Sequence, residues 1–294
     1  MITVKEFLNS FDLHTSKNLI NSPKISVILP TFCRGNNGLL TRAIDSVLNQ
    51  TFSNLELIIV DDYSVDDTEN IVKEYLKKDS RIVYIRNHTY SGLPAIRVNQ
   101  GLLHARGKYV AYQFDDDLWM ENALEVLYKE IIEQKKECMV YGIGIWRNVR
   151  TKEELKLGAP VKYHELLEYN RIINNSVLHS RSLSYDYGTY DCHITMRRSC
   201  DWDLWLRWIQ KVPFVFVDKI VSIAEYNHEN SIGIDCVFDE HLFRIYYSLN
   251  RWESLKLNKI HKFCIDNLDF LTDEAYKKSV YKKQILPWIN QKNG

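Results

Sequence analysis

The sequence predicts an α/β fold: a mostly parallel central sheet flanked by helices, with a helical extension at the C-terminus. Strand-like runs and helix-period segments alternate at least four times from residue 24 onward, with short connections. That is the signature of a parallel sheet covered on both faces. Two of the strands run straight into acidic clusters, Val60 into Asp61-Asp62 and Phe114 into Asp115-Asp116-Asp117. Ligands of open α/β sheets bind beyond the carboxyl ends of the strands, so the two clusters mark a candidate site.

Residues 1–23 read as a short amphipathic segment and a polar linker ending at Asn21-Ser22-Pro23. Ile25-Ser26-Val27-Ile28-Leu29 is a β-branched run closed by Pro30, hence a buried strand. Leu40, Ala43, Ile44, Val47 and Leu48 recur at helical spacing. A second buried strand covers Leu55 to Val60, and a helix follows from Asp67 to Leu76 with Asp66 or Asp67 able to cap it. Ile82 to Ile85 is a third strand, Pro94 to about Arg106 a helix, and Tyr109 to Phe114 a fourth strand. Asn122 to Glu133 is helical, and another strand begins near Cys138. Beyond residue 147 the pattern weakens. Tyr163 to Tyr169 and Asp201 to Gln210 have helical spacing, Val215-Phe216-Val217 is a short strand, and 238–294 read as helices rich in lysine and aromatics.

The 38 Lys and Arg residues balance the 38 Asp and Glu residues, so no overall field points to nucleic acid. No apolar run approaches the roughly 20 residues of a membrane span. The N-terminus lacks the basic and apolar regions of a signal peptide. A cytoplasmic protein with reduced cysteines is expected.

Three consecutive carboxylates at a strand end repel one another unless a cation or solvent intervenes. Oxygen-rich clusters of this kind suit Mg²⁺ or Mn²⁺, which keep several waters and share substrate phosphates. Alone, the triplet fits a solvated acidic turn equally well; its place after an apolar strand in a repeating pattern favours the metal. At the other cluster Asp62 can accept from a base N–H or a ribose hydroxyl, whereas Asp66 and Asp67 belong to a helix cap.

Four stretches together resemble glycosyltransferase family 2, with its GT-A, Rossmann-like fold: 26–32, 43–52, 57–62, and 107–111 ahead of the triplet. The resemblance covers about residues 24–235. It implies an inverting enzyme that uses a nucleotide-diphosphate sugar, with a UDP-sugar favoured, and a divalent metal, Mn²⁺ or Mg²⁺. Position by position, it implies that Pro30, Thr31 and Phe32 line the base pocket, that Arg34 stands near the nucleotide, and that Asp62 contacts base or ribose. Asp115 faces the ribose and Asp116 or Asp117 binds the metal. Phe114 stands where the family often has its first aspartate, so the choice between them stays open.

Asp201 matches the family's base, which takes the proton of the acceptor hydroxyl as that oxygen attacks the anomeric carbon. Cys200 replaces the usual glutamate before it. Gly188-Thr189-Tyr190-Asp191 resembles the segment near the acceptor, so Tyr190, Asp191 and Trp202 are acceptor-region residues by resemblance. The segment 225–231 resembles the family's tyrosine–x–histidine stretch and makes His228 a ligand of metal or diphosphate, beside the plainer reading of a packed histidine. Arg97-Val98-Asn99-Gln100-Gly101 departs from the family's Arg-Asn-x-Gly pattern.

The resulting expectation is a non-processive glycosyltransferase of bacterial surface polysaccharide or glycoconjugate synthesis. An N-terminal segment (1–23) precedes a GT-A domain (24–235), divided into a nucleotide-binding half (24–120) and an acceptor half (121–235); a helical extension (236–294) follows. A glycan or lipid-linked glycan would be the acceptor. Arg207-Trp208 superficially matches the Gln-x-x-Arg-Trp signature of processive synthases, but two turns past Asp201 it reads as helix packing. Two alternatives stand beside this reading. A sugar-nucleotide pyrophosphorylase wants a glycine- and basic-rich phosphate loop where 33–38 stands; a non-catalytic module would bind a nucleotide sugar or glycan without transfer. Lys277-Lys278 and Lys282-Lys283 near Trp288 offer a peripheral contact with the inner face of an anionic membrane, or simply a solvated basic face.

Overall fold

The computed structural model describes residues 2–193, 196, 199–226, 228, 252–262, 264, 265 and 287. β1 (Ile2–Thr3), α1 (Val4–Leu8) and β2 (Phe11–Thr15) come first. The expected alternation follows as β3 (Ile25–Thr31), α2 (Leu39–Leu48), β4 (Leu55–Asp61), α3 (Thr68–Lys78), β5 (Ile82–Asn87), α4 (Pro94–His104) and β6 (Tyr109–Tyr112). Next are β7 (Leu118–Trp119), α5 (Ala123–Glu133), β8 (Met139–Asn148) and β9 (Glu154–Leu157). The remainder is α6 (Tyr163–Glu168), β10 (Val177–Ser180), α7 (Ser182–Asp186), α8 (Cys200–Trp208), β11 (Phe214–Tyr226) and β12 (Cys264–Ile265).

Among the described residues the main sheet has ten strands, ordered β2-β5-β4-β3-β6-β10-β8-β11-β7 with β9 beside β8. β3 to β6 are parallel to one another. β10 runs against both β6 and β8, so β8 and β11 again point the same way as β3. The strands are thus mostly parallel, and the carboxyl ends of β3, β4, β5, β6, β8 and β11 share one edge. Everything described below as the site lies along it.

β3 and β4 are buried along their whole length, which requires an apolar side chain on both faces. Ile25, Val27, Leu29, Leu57 and Ile59 pack with Leu40 of α2, Val72 of α3 and Leu124 of α5. Ile28, Ile58 and Val60 point the other way, into a core shared with Val4 of α1, Ile96 of α4 and Leu204 of α8.

Three differences from the sequence reading have physical causes. Phe11–Thr15, expected as linker, is an edge strand antiparallel to β5. Only Phe11 and His14 are partly buried there, so no apolar run announces it. β11 is far longer than 215–217, because the polar Asp218-Lys219 stretch is absorbed as irregular register against β8. Of the extension, 252–262 forms 3₁₀ turns whose Leu255, Leu257 and Ile260 join the core that holds α1. β12 pairs with β1. The other helices expected over 238–294, with Lys277, Lys278, Lys282, Lys283 and Trp288, lie outside the described residues.

A histidine in the core makes stability depend on pH. His179 of β10 is fully buried, with Nε2 2.7 Å from the Tyr112 hydroxyl and Nδ1 2.9 Å from the Ser180 carbonyl. A neutral ring satisfies both, donating from Nδ1 and accepting at Nε2. Burial depresses its pKa from 6.5 to about 4. The unfolded chain therefore takes up the proton first, and stability present at neutral pH is lost as pH falls from about 6.5 to about 4. That loss is expected to reach about 3 kcal/mol. Urea unfolding from pH 7 to pH 4 checks it, because His179→Gln should flatten this part of the profile.

Candidate active site

The shared strand edge opens into a cleft of about 810 Å³. At one end β3 delivers Pro30, Thr31 and Phe32, and the Phe32 ring meets Tyr90 at 4.5 Å between centroids. Both rings are partly open, 40% for Phe32 and 45% for Tyr90, as a plane that receives a flat ligand must be. The loop after β3 is clamped at Gly35, whose N–H donates to Asp66 Oδ2 (2.8 Å) and Thr68 Oγ1 (3.1 Å). A Cβ there would fall 2.4 Å from the Thr68 nitrogen, so only glycine allows the approach. The clamp holds Arg34 with its guanidinium 3.5 Å from both Asp115 and Asp116.

Asp62 lies on the same wall, and its carboxylate is held by protein donors. Oδ1 accepts from the Ser91 N–H (2.9 Å) and Arg97 Nε (2.6 Å); Oδ2 accepts from Ser91 Oγ (3.0 Å) and the Gly92 N–H (2.9 Å). Those contacts use the lone-pair sites of a carboxylate, so a base or ribose group would have to share one. Arg97 is 1% exposed and donates onward to the carbonyls of Phe7 (2.9 Å) and Thr89 (2.6 Å).

The triplet fills the centre. Asp115 Oδ2 accepts from the Phe32 N–H (3.1 Å), and Asp117 from Asn175 Nδ2 (3.1 Å) and the Glu225 N–H (2.9 Å). Burial raises all three carboxyls, and mutual repulsion adds to it for Asp115 and Asp117. Asp115 reaches about 7, and Asp117 goes well above its ordinary value. Burial also works to raise Glu225, yet Arg42 (2.6 Å), Arg147 (3.3 Å) and His228 hold it below its usual range. His228 Nε2 stands 3.2 Å from Glu225, and burial lowers its pKa.

Among the described residues no three His, Cys, Asp or Glu side chains converge as a ready metal shell. The donor set nevertheless fits a hard divalent cation. Buried carboxylates outnumber the cations facing them, and the amide oxygens of Gln113 and Asn175 beside the triplet are buried without a donor. Mg²⁺ and Mn²⁺ need few protein ligands when diphosphate oxygens and waters complete the shell.

Across the cleft, Asp201 sits half-buried in the first turn of α8, with Asn170 Nδ2 3.4 Å from its Oδ2. Trp202 lies beside it on the wall and donates to the Leu166 carbonyl (2.6 Å). Arg207 pairs with Asp203 (2.8 Å) and donates to the Thr189 carbonyl (2.7 Å), which fixes α8.

The Glycosyl transferase family 2 model matches residues 26–205. The chain belongs to glycosyltransferase family 2. It is 43% identical over 267 residues to the GalNAc(5)-diNAcBac-PP-undecaprenol beta-1,3-glucosyltransferase of Campylobacter jejuni, covering 87% of this chain and 79% of that one. It is 38% identical over 117 residues to the glycosyltransferase GlyA of Streptococcus pneumoniae, 40% of this chain but 16% of that one. The crystal structure of S. aureus TarS 1-349 in complex with UDP-GlcNAc shares the fold, with a TM-score of 0.63 and 18% identity over 88% of this chain and 73% of that one.

The family 2 glycosyltransferase thus brings Pro30, Thr31, Phe32, Arg34, Asp62, the triplet, Asp201 and Trp202 to one cleft. His228 stands behind Glu225, at the triplet's side. Tyr190 and Asp191 are fully buried, Tyr190 donating to Asn174 (2.6 Å). Residues that sequence reasoning gave no role are Arg42, Tyr90, Arg97, Trp146, Glu225 and Tyr226. The two arginines were hidden among apolar helix positions, where spacing speaks only for the core. The Asp62–Arg97 pair gives a test. Arg97→Met leaves a buried carboxylate without its cation, and a loss of about 3–5 kcal/mol is expected in denaturant unfolding. Asp62→Leu in the same chain should recover part of it.

Proposed function

We propose that this glycosyltransferase is an inverting, non-processive enzyme that moves a sugar from a UDP-sugar to a hydroxyl of a lipid-linked glycan in bacterial surface glycoconjugate synthesis. The observation that carries the reading is the placement of Asp201 and the acidic triplet on one cleft. The acceptor class follows the Campylobacter relative, whose name specifies an undecaprenol-linked glycan.

In this reading Phe32 and Tyr90 stack the base, and Arg34 sets positive charge beside the diphosphate. Asp201 receives the acceptor's proton at a carboxylate oxygen while the acceptor oxygen bonds to the anomeric carbon. The bond to the diphosphate breaks with its electron pair leaving on UDP, on the face opposite attack, so the anomeric configuration inverts. A divalent metal, Mn²⁺ or Mg²⁺, held by Asp116 or Asp117 with His228 near by, would supply Lewis-acid stabilisation of the departing charge. Non-processive action is supported by Arg207 and Trp208, which are buried in α8 packing rather than in the cleft. No helix among the described residues is long and apolar enough to cross a membrane, so a peripheral seat at the cytoplasmic face is proposed.

Asp201→Asn should lower transfer by about 10²–10⁴-fold while UDP still binds; transfer at the wild-type rate would remove Asp201 as the base. Excess EDTA should abolish transfer, and Mn²⁺ or Mg²⁺ should restore it. Undiminished turnover in EDTA would sink the metal assignment.

A further inference from the structure

The cleft holds a second aromatic pair at its other end. Trp146 of β8 and Tyr226 of β11 stack with centroids 4.3 Å apart and 26° between planes. The strand register builds the pair: Trp146 lies opposite Ala224, and Tyr226, two residues on, shares its face. Ala224 is small, so the two larger rings can lean together over it. Both rings line the cleft, and Trp146 is 40% exposed. A core tryptophan would be covered.

The position of the pair separates it from the nucleotide. In the sheet, β8 and β11 lie on the far side of β6 from β3, β4 and β5, so the acidic triplet after β6 stands between the two aromatic pairs. Tyr169, 45% exposed, also lines the cleft and immediately precedes Asn170, which reaches Asp201. Asp201 and the aromatic pair thus line one cleft, with the triplet between the pair and Phe32. Polar groups line the same cleft: Glu225, Asn170 and Asn174. A flat apolar plane with a polar rim matches a pyranose, which has one C–H face and a rim of hydroxyls. A polyprenyl chain would want the rim apolar as well.

We propose that Trp146 and Tyr226 form the platform on which a pyranose ring of the acceptor glycan stacks, so that its neighbouring hydroxyl reaches Asp201. The assignment rests on the acceptor reading above and specifies where that acceptor is held. It replaces Tyr190 and Asp191, both buried away from the cleft, as the contact surface.

The test is direct binding of a lipid-free N-acetylgalactosamine pentasaccharide, read by saturation-transfer NMR with UDP and Mg²⁺ present. Wild type should bind it, Trp146→Ala should weaken binding by about tenfold, and Trp146→Phe should stay within about threefold of wild type. UDP binding in the same samples shows that the variants are folded. Equal affinity in Trp146→Ala, absence of binding by wild type, or binding only when the polyprenyl chain is attached would each overturn the platform. Failure of the catalytic reading looks different: Asp201→Asn would retain transfer while the glycan still bound at Trp146.

Discussion

Negative charge crowded at one strand edge is the constraint around which this glycosyltransferase is arranged. Asp117 is buried and Asp115 and Asp116 nearly so; desolvation raises the proton affinity of all three, repulsion within the triplet adds to it for Asp115 and Asp117, and Glu225 adds to the crowding around Asp116 and Asp117. Such a cluster survives folding because each member has a specific partner. Backbone N–H groups of Phe32 and Glu225 reach Asp115 and Asp117, Arg34 bridges Asp115 and Asp116, and Arg42 joins Glu225 to the Asp116 carbonyl. These partners come from the end of β3 and the loop after it, α2 and β11, so the cluster ties the β3–β6 strands to β11. The remaining excess of negative charge is what a cation-bound diphosphate would relieve.

The sheet makes this arrangement economical. Six strands end on one edge, and between them they contribute two kinds of group, aromatic planes and carboxylates. β10 matters here although it carries no site residue. By running against its neighbours it restores β8 and β11 to the direction of β3, which brings Trp146 and Tyr226 to the same edge as Phe32. Groups mounted on strand ends keep their spacing better than groups on long loops.

Much of this was legible in the sequence because both faces of β3 and β4 are buried. Their residues read as unbroken apolar runs, and the acidic clusters that end them stand out by contrast. Helix α2 showed its buried side through Leu40, Ala43, Ile44 and Val47. The edge strand at Phe11–Thr15 gave no such signal, since an edge strand with mostly exposed side chains resembles a linker. The partners of the site were harder still. Arg97 is known as a buttress of Asp62 only once α4 is docked, and Trp146 meets Tyr226 across 80 residues of chain through a parallel register that no local pattern encodes.

Arg97 also carries a consequence for how far the folded unit reaches ahead of β3. One N–H of its guanidinium ends on the Phe7 carbonyl, and Val4, Phe7 and Leu8 of α1 share a core with Ile96 and Val98. The stretch that matches the family starts at residue 26, well past that helix. A boundary drawn by similarity and a boundary drawn by hydrogen bonding therefore fall in different places. Cutting at the former would remove one acceptor of a buried guanidinium and uncover the apolar underside of α4, beside the wall that carries Asp62. Helix α1 is thus a foundation of the wall that carries Asp62, though none of its residues lines the cleft.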